Sequence, residues 1–242
     1  MSKEITSNSS LYRIKLLFHR NVMINKRTIQ IGLISLICGV VFIKGTVLYY
    51  GGISPIAAES IITFGFVIFT LVGYAFTSIM FYEKNSANSA PQFFTLPATA
   101  FEKIISAWLL SFCAYTVVGL FLLYLLSLLI GLPADWFFSI RIFNEIWPYI
   151  IYQSIFFLGA VHFRSNNFLS TLVAIFGVLI LFGLIALLLV NTFTPDGLFL
   201  KIPTTLTATS TFRFITTCTL TVAISAFFIW VSYIRLKRME LA

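Results

Sequence analysis

Four apolar runs without a charged residue constrain this chain more than any other feature of its sequence. They cover Ile61–Phe81, Ile104–Leu132, Phe168–Val190 and Phe214–Ile234. A membrane-spanning helix needs about 20 predominantly apolar residues. Within the hydrocarbon layer the backbone N–H and C=O groups must be hydrogen-bonded inside the segment, so a long apolar run must be helical. Because the runs lack the short alternating pattern of a transmembrane β-barrel, the sequence predicts an all-α membrane protein.

The composition supports the same class. The chain has 242 residues, of which 59% are hydrophobic and 10% are charged, and its mean hydropathy is +0.98. A soluble domain is about 45–50% apolar and about 25% charged, so this chain has too few charges to cover a surface in water. Its three cysteines show neither a metal-binding spacing nor a disulfide framework.

We predict six membrane spans, preceded by an interfacial leader at 1–28 and followed by a basic tail at 235–242. The fourth span is the shortest, and Pro148 fits the first turn of a helix that starts near Trp147. The outer segment 191–212 is either extracellular or re-entrant. The predicted spans, which together form a transmembrane domain at 29–234, are 29–49, 60–82, 104–130, 146–162, 168–190 and 213–234.

The leader carries a second, shorter helical pattern. Ser10 has the residue type of a helix N-cap, and apolar residues recur after it at helical spacing. A cationic amphipathic helix of this kind lies in the membrane interface. The alternative is a basic tail that only sets the orientation of the protein. The apolar face of the predicted interfacial helix consists of Leu11, Ile14, Phe18 and Val22.

The distribution of basic residues predicts the orientation. With the N-terminus inside, twelve of the 16 Lys and Arg residues lie on the inner side and four, Lys44, Arg141, Lys201 and Arg213, on the outer side. Cytoplasmic loops carry such an excess of Lys and Arg. We therefore expect a bacterial inner-membrane protein with both termini in the cytoplasm, and the net charge of +8 requires no nucleic-acid partner.

Several kinds of chemistry have no residues to carry them. The sequence contains no phosphate loop ending in GK[ST] and no H-E-x-x-H metalloprotease motif. The middle of each predicted span lacks Asp, Glu, Lys, Arg and His, the residues with which ion-coupled carriers move ions or protons. An intramembrane enzyme and an ion-coupled carrier are therefore both disfavoured. If the protein transports actively, its energy must come from a partner.

The loop between the second and third spans is long and contains two helix-start signals. Ser89, with Pro91 in the first turn, predicts a short helix through Phe94. Thr99 and Glu102 have the spacing of a capping box, which opens the third span.

Pro97 separates these two helices, because it cannot continue the first one. A short surface helix that exposes Phe93, Phe94 and Phe101 has the character of a docking element for a cytoplasmic partner. The alternative is an ordinary membrane-surface loop with interfacial phenylalanines.

This loop resembles a segment of a known family. Phe94–Lys103, followed by Trp108, is similar to the L-P-(small)-(S/T)-x-x-E-K segment after the second span of type-2 ATP-binding-cassette permeases, in which Arg often stands in place of Ala100. Tyr233–Glu240 resembles the tail after the sixth span of those proteins. The amphipathic leader and the number of spans agree with the same family.

The resemblance implies a permease subunit of an exporter for a hydrophobic or amphipathic substrate. Two such subunits, identical or different, would pair in the bilayer, and two cytoplasmic nucleotide-binding ATPase subunits would dock on the inner loop and the leader. ATP and Mg²⁺ would be bound by the ATPase, so this chain would hold no cofactor and would not itself be an enzyme. The resemblance places the coupling surface at Glu83, Lys84, Pro91, Phe94, Leu96, Pro97, Phe101, Glu102 and Lys103.

A second function remains open on the sequence alone. A membrane scaffold, immunity protein or sensor that binds another membrane complex would show the same spans and the same surface loop. Such a protein would need no ATPase, so its partners distinguish it from a permease.

Overall fold

The computed structural model describes residues 2–49, 54–86, 89–131, 137, 140–193 and 210–241, and the regular secondary structure in these ranges is helical. Most of the predicted outer segment 191–212 lies outside them. The helices are α1 (Ser2–Ile24), α2 (Lys26–Tyr49), α3 (Pro55–Ile79), α4 (Tyr82–Asn85), α5 (Ala90–Phe94), α6 (Ala100–Trp108), a π-helical segment (Leu109–Ala114), α7 (Tyr115–Ile130), α8 (Ile140–His162), α9 (Asn167–Phe193) and α10 (Ser210–Leu241).

Five stretches of described helix are long and apolar enough to cross a membrane. They are Lys26–Thr46, Ala57–Ile79, Ala100–Ile130, Asn167–Leu188 and Phe214–Glu240. This result confirms an all-α, multi-pass membrane protein, and the five stretches overlap five of the six predicted spans. The remaining predicted span, 146–162, lies in α8, which is a helix but is not among the five.

Helix α8 occupies the centre of the bundle, where it packs against α3, α9 and α10. Its contacts show its direction. The ring of Tyr149 lies 5.0 Å from the ring of Phe69 on α3, and further along the helix the carbonyl of Val161 accepts a hydrogen bond from Lys84, which follows α3. Therefore α8 runs parallel to α3 and passes from the middle of the bundle to its end.

The first and last helices meet at that same end. Ser10 on α1 donates a hydrogen bond to Glu102 on α6, with a distance of 3.0 Å between the two oxygens. The next residue of α6, Lys103, forms an ion pair with Glu240 near the end of α10. We call this end of the bundle the α1 end; it is formed by α1, α4, α5, the first turn of α6 and the last turns of α8 and α10.

Helix α1 begins earlier than its sequence predicts. Ser10 lies inside the helix, so the prediction that it caps the helix is wrong, and its hydroxyl contacts Glu102 instead. The face that packs against α6 is partly polar and includes Leu17, which is buried, and Asn21. Of the four residues predicted to form the apolar face, Ile14, Phe18 and Val22 are half-buried, whereas Leu11 is 67% exposed.

The two predicted helix starts in the loop have different outcomes. The capping box is confirmed: Thr99 Oγ1 accepts a hydrogen bond from the Glu102 backbone N–H at 3.3 Å, and Glu102 Oε2 accepts one from the Thr99 N–H at 2.9 Å. The short helix is also confirmed, as α5. However, the Ser89 hydroxyl does not cap it and donates instead to the carbonyl of Glu83, which also accepts from the Ser86 N–H at the end of α4.

A π-helical segment interrupts the third span. A wider helical turn leaves backbone groups unpaired, and in lipid such groups need a partner within the protein. Gln153 on α8 provides one, because its Nε2 donates to the carbonyl of Ser111 at 2.8 Å and lies 3.3 Å from Thr77 Oγ1. The π segment is thus fixed to α8 and α3 by a buried amide.

Close helix contacts occur at two glycines. A Cβ at Gly159 on α8 would overlap Thr171 on α9, and a Cβ at Gly119 on α7 would overlap the ring of Phe69. Small residues allow helix backbones to approach closely in membranes. These contacts hold α9 and α7 against their neighbours at single points.

Candidate docking surface at the α1 end

The predicted coupling residues separate into an exposed set and a buried set. Pro91, Pro97 and Phe101 are exposed, and the Phe101 side chain retains 54% of its accessible surface. Half-buried residues accompany them: Phe94 and Leu96 each keep part of their surface open. Together these five residues form a mainly apolar surface on and beside α5. Gln92 and Thr95 are exposed on the same segment.

Glu102 lies beneath this surface. Glu102 is only 4% exposed, and both of its carboxylate oxygens accept hydrogen bonds from other residues of the chain. One oxygen accepts from the N–H of Thr99 at 2.9 Å and the other accepts from the hydroxyl of Ser10 at 3.0 Å. Glu102 therefore joins the loop, α6 and α1 to one another.

Lys103 is also buried, at 3% exposure. Its Nζ lies 2.8 Å from Glu240 Oε1 and 5.1 Å from the centre of the Phe93 ring. A buried cation requires such partners, because removing it from water is costly. Through Lys103 the end of α10 and the buried face of α5 are held against the first turn of α6.

Glu83 and Lys84 connect the remaining elements. Glu83 forms an ion pair of 2.8 Å with Arg20 on α1. Lys84, which is 7% exposed, donates to the carbonyl of Val161 at the end of α8. Burial, together with the positive charges of Arg235 and Arg164, lowers the pKa of Lys84 to about 8. The next residue, Asn85, donates to the carbonyl of Phe163 at 3.0 Å.

Within the predicted set, the two lysines and Glu102 are thus buried, whereas the two prolines and Phe101 point outward. The prediction that Phe93 is exposed is wrong, because its side chain is 6% exposed and belongs to the packed cluster below. This packed cluster supports the outer residues from below; its fully buried members include Phe81, Ile104, Phe157, Val161 and Leu236. A surface on such a support can bind a partner without first becoming ordered, which reduces the entropy cost of binding. Among the described residues no group of three or more His, Cys, Asp and Glu side chains could hold a metal ion.

The sequence did not indicate the partners of the buried charges. Glu102 and Lys103 stood out because they belong to the loop pattern, but Ser10, Arg20 and Glu240 did not stand out as their partners. The contacts from Ser10 to Glu102 and from Lys103 to Glu240 join residues 92 and 137 positions apart. A single sequence gives no signal for pairs at such separations.

No protein-family model, no curated protein and no solved structure matches this chain.

Proposed function

We propose that this chain is the membrane-spanning permease subunit of an ATP-binding-cassette exporter and that its α1 end binds a cytoplasmic nucleotide-binding ATPase. The observation that carries the proposal is the apolar surface of Pro91, Pro97 and Phe101 above the buried charges of Glu102 and Lys103. An interface that transmits force needs a contact surface that is fixed rigidly to the helices that must move. The two buried charges fix this surface to α6, α1 and α10.

Six membrane crossings follow if α8 is the remaining span. Helix α8 has 23 residues, which correspond to about 34 Å at 1.5 Å per residue, more than the hydrocarbon thickness of about 30 Å. Its lower apolar content fits its central position, because Gln153 and Ser154 are buried within the protein and do not face lipid. With α8 counted, α1 and the end of α10 lie on one side of the membrane. The excess of basic residues makes that side cytoplasmic.

The energy for transport comes from the partner in this proposal. The span interiors carry no ionisable side chain that could couple transport to an ion gradient. ATP and Mg²⁺ are bound by the ATPase, and this chain performs no phosphate chemistry.

A second permease subunit, identical or different, completes the transporter. Helices α2 and α10 and the described outer half of α9 leave large apolar areas uncovered within the chain; exposed residues there include Ile34, Phe42, Leu181, Phe182 and Trp230. A second subunit and lipid would share these areas. The pathway between two such subunits would suit a hydrophobic or amphipathic substrate.

The decisive experiment is affinity purification of the tagged chain in mild detergent, followed by mass spectrometry of the proteins that accompany it. We compare wild type with a Gln92→Ala, Phe101→Ala double variant, since both side chains are exposed and neither belongs to the buried cluster below; the Phe101 ring contacts the cluster through an edge contact with Tyr233, with 6.1 Å between the ring centres. Glu102 is left intact because its substitution would remove a helix cap. The matched control is Leu48→Ala, which truncates an exposed side chain near the C-terminal end of α2, away from the docking surface.

The proposal expects a stoichiometric ATPase with wild type and with Leu48→Ala, and at least a tenfold loss with the double variant while its thermal unfolding is unchanged. Loss of one central apolar contact has effects of this size at protein interfaces. If no ATPase accompanies wild type, the permease proposal is wrong. The scaffold, immunity or sensing function then becomes the one to test.

A further inference from the structure

Helix α2 is attached to the bundle mainly at its two ends. At its start it continues from α1 through Asn25, whose carbonyl accepts from the Ile29 N–H at 2.9 Å. Near its other end Lys44 Nζ donates to the carbonyl of Leu129, in the last turn of α7, at 2.5 Å. Between these points, no side chain that the structure describes in the most apolar stretch of α2 is buried within the chain. The first two turns of α2, at Thr28–Gly32, border an open space instead of a packed neighbour.

The space beside the first two turns of α2 is an apolar cleft of about 320 Å³. Walls from α2, α3 and α7 enclose it, and residues from each wall include Gly32, Val72, Phe76, Tyr115, Val118 and Gly119. The hydroxyl of Tyr115 donates to the carbonyl of Phe69 at 2.6 Å, so its polar end is already satisfied. The cleft thus offers almost no polar group to a ligand and accepts a hydrocarbon.

The dimensions of the cleft match one acyl chain. Along the third span it reaches from Leu110 to Gly119, which is about 14 Å at 1.5 Å per residue. One leaflet contributes half of a hydrocarbon layer of about 30 Å. At roughly 30 Å³ for each water-sized group, the volume holds about ten such groups. A methylene group has a similar size, so the volume accommodates one extended acyl chain segment of about ten carbons.

The charge at one end of the cleft identifies the headgroup. Lys26 and Arg27 are exposed at the start of α2, directly before Thr28 and Ile29, which line the cleft. Within the described part of the chain, neither of them takes part in an ion pair. Adjacent basic residues at a membrane surface attract anionic lipid headgroups.

We propose that this cleft binds one acyl chain of an anionic phospholipid from the leaflet at the α1 end, with Lys26 and Arg27 holding the phosphate of its headgroup. The inference concerns a lipid site of this chain and does not depend on an ATPase partner. A bound chain would fill the cleft and support the first two turns of α2 against α3 and the third span.

Photo-crosslinking in nanodiscs tests the proposal. The probe is phosphatidylglycerol with a diazirine in the middle of one acyl chain, and phosphatidylcholine with the same chain is the uncharged comparison. Gly32→Phe fills the cleft, and Gly39→Phe on the same helix is its control, since a Cβ at either glycine meets no atom within 4 Å. Val118→Phe fills the cleft from the opposite wall. A loss of labelling shared by both filling variants therefore cannot come from a local distortion of α2.

We expect phosphatidylglycerol to label the cleft walls of α3 and α7 in wild type and in Gly39→Phe, and this labelling to fall at least fivefold in Gly32→Phe and Val118→Phe. A Lys26→Gln, Arg27→Gln variant should lose the preference for phosphatidylglycerol over phosphatidylcholine. Labelling spread evenly over the lipid-facing helices, or unchanged by both filling variants, would overturn the site. An equal preference for both lipids in wild type would overturn the headgroup assignment.

Discussion

Lys103 and Glu240 lie 137 residues apart in the sequence, and their side chains form an ion pair with a distance of 2.8 Å between Nζ and Oε1. The lysine side chain is 2% exposed and the glutamate side chain 21%. This single contact joins the first turn of the third span to the end of the last helix. It places both ends of the described chain beside the candidate docking surface, because Glu102, the preceding residue, contacts α1.

Breaking this pair from the glutamate side should destabilise the protein. Glu240→Ala leaves the buried Lys103 ammonium without its counter-charge, and removing one partner of a buried pair costs about 3 kcal/mol. Thermal unfolding in detergent measures the effect. Lys237→Ala is the control, since Lys237 is exposed and lies 5.9 Å from the Tyr233 ring; its effect should stay within about 0.5 kcal/mol.

A further variant distinguishes the cost of the unpaired Lys103 charge from the cost of the packing that Glu240→Ala removes. Adding Lys103→Met to Glu240→Ala removes the unpaired cation, so the double variant should be more stable than Glu240→Ala alone. If the double variant is less stable than the single one, the charge is not the source of the loss.

Lys84 gives the stability a pH dependence with a definite sign. Its pKa of about 8 in the folded protein lies below the ordinary 10.5, so between these two pH values the unfolded chain binds more protons. The free energy of unfolding therefore rises with pH in this window. The gain is about 1–3 kcal/mol after an allowance for residual hydration. Unfolding measured at pH 7.5 and pH 10 should show this gain in wild type and not in Lys84→Met. An equal pH response in both proteins would contradict it.

The contact between α8 and α9 should tolerate no side chain at Gly159. Gly159→Ala places a methyl group against Thr171, and overpacking of this kind costs about 1–3 kcal/mol. The loss should appear as a lower midpoint of thermal unfolding. Gly177→Ala on α9 is the matched control, because its Cβ would meet no atom within 4 Å. The close contact is disproved if the two variants unfold at the same temperature.

Gln153→Leu should weaken the third span at its π-helical segment. The variant keeps most of the side-chain volume but removes the donor to the Ser111 carbonyl. Hydrogen bonds between membrane helices contribute about 0.6 kcal/mol on average and up to about 1.7, so we expect a loss in the upper half of this range. Ser154→Ala is the control, since the Ser154 hydroxyl bonds only to Ile150 of its own helix. Hydrogen–deuterium exchange should rise around residues 109–114 in the leucine variant alone, and unchanged exchange there would argue against this role of Gln153.

Features that depend on neighbouring residues were predictable from the sequence. The apolar runs required helices in lipid because no other partner for the backbone exists there. The Thr99–Glu102 capping box joins residues three positions apart, so its geometry follows from helix formation itself. The short helix α5 also followed from local signals, although Ser89 proved to bond to Glu83 instead of capping it.

Features that depend on distant residues were decided by the tertiary structure. The sequence identified Glu102 and Lys103 as part of a surface loop, but only packing turned their side chains inward, where buried charges must find partners. Packing likewise set the face of α1 that meets α6, and it left Leu11 exposed. The cleft beside α2 lies between the first turns of that helix, α3 and the third span, so it forms only when three distant segments pack together. The hydrophobic pattern of a membrane helix does not show which neighbouring helix each face contacts, because lipid can cover any apolar face.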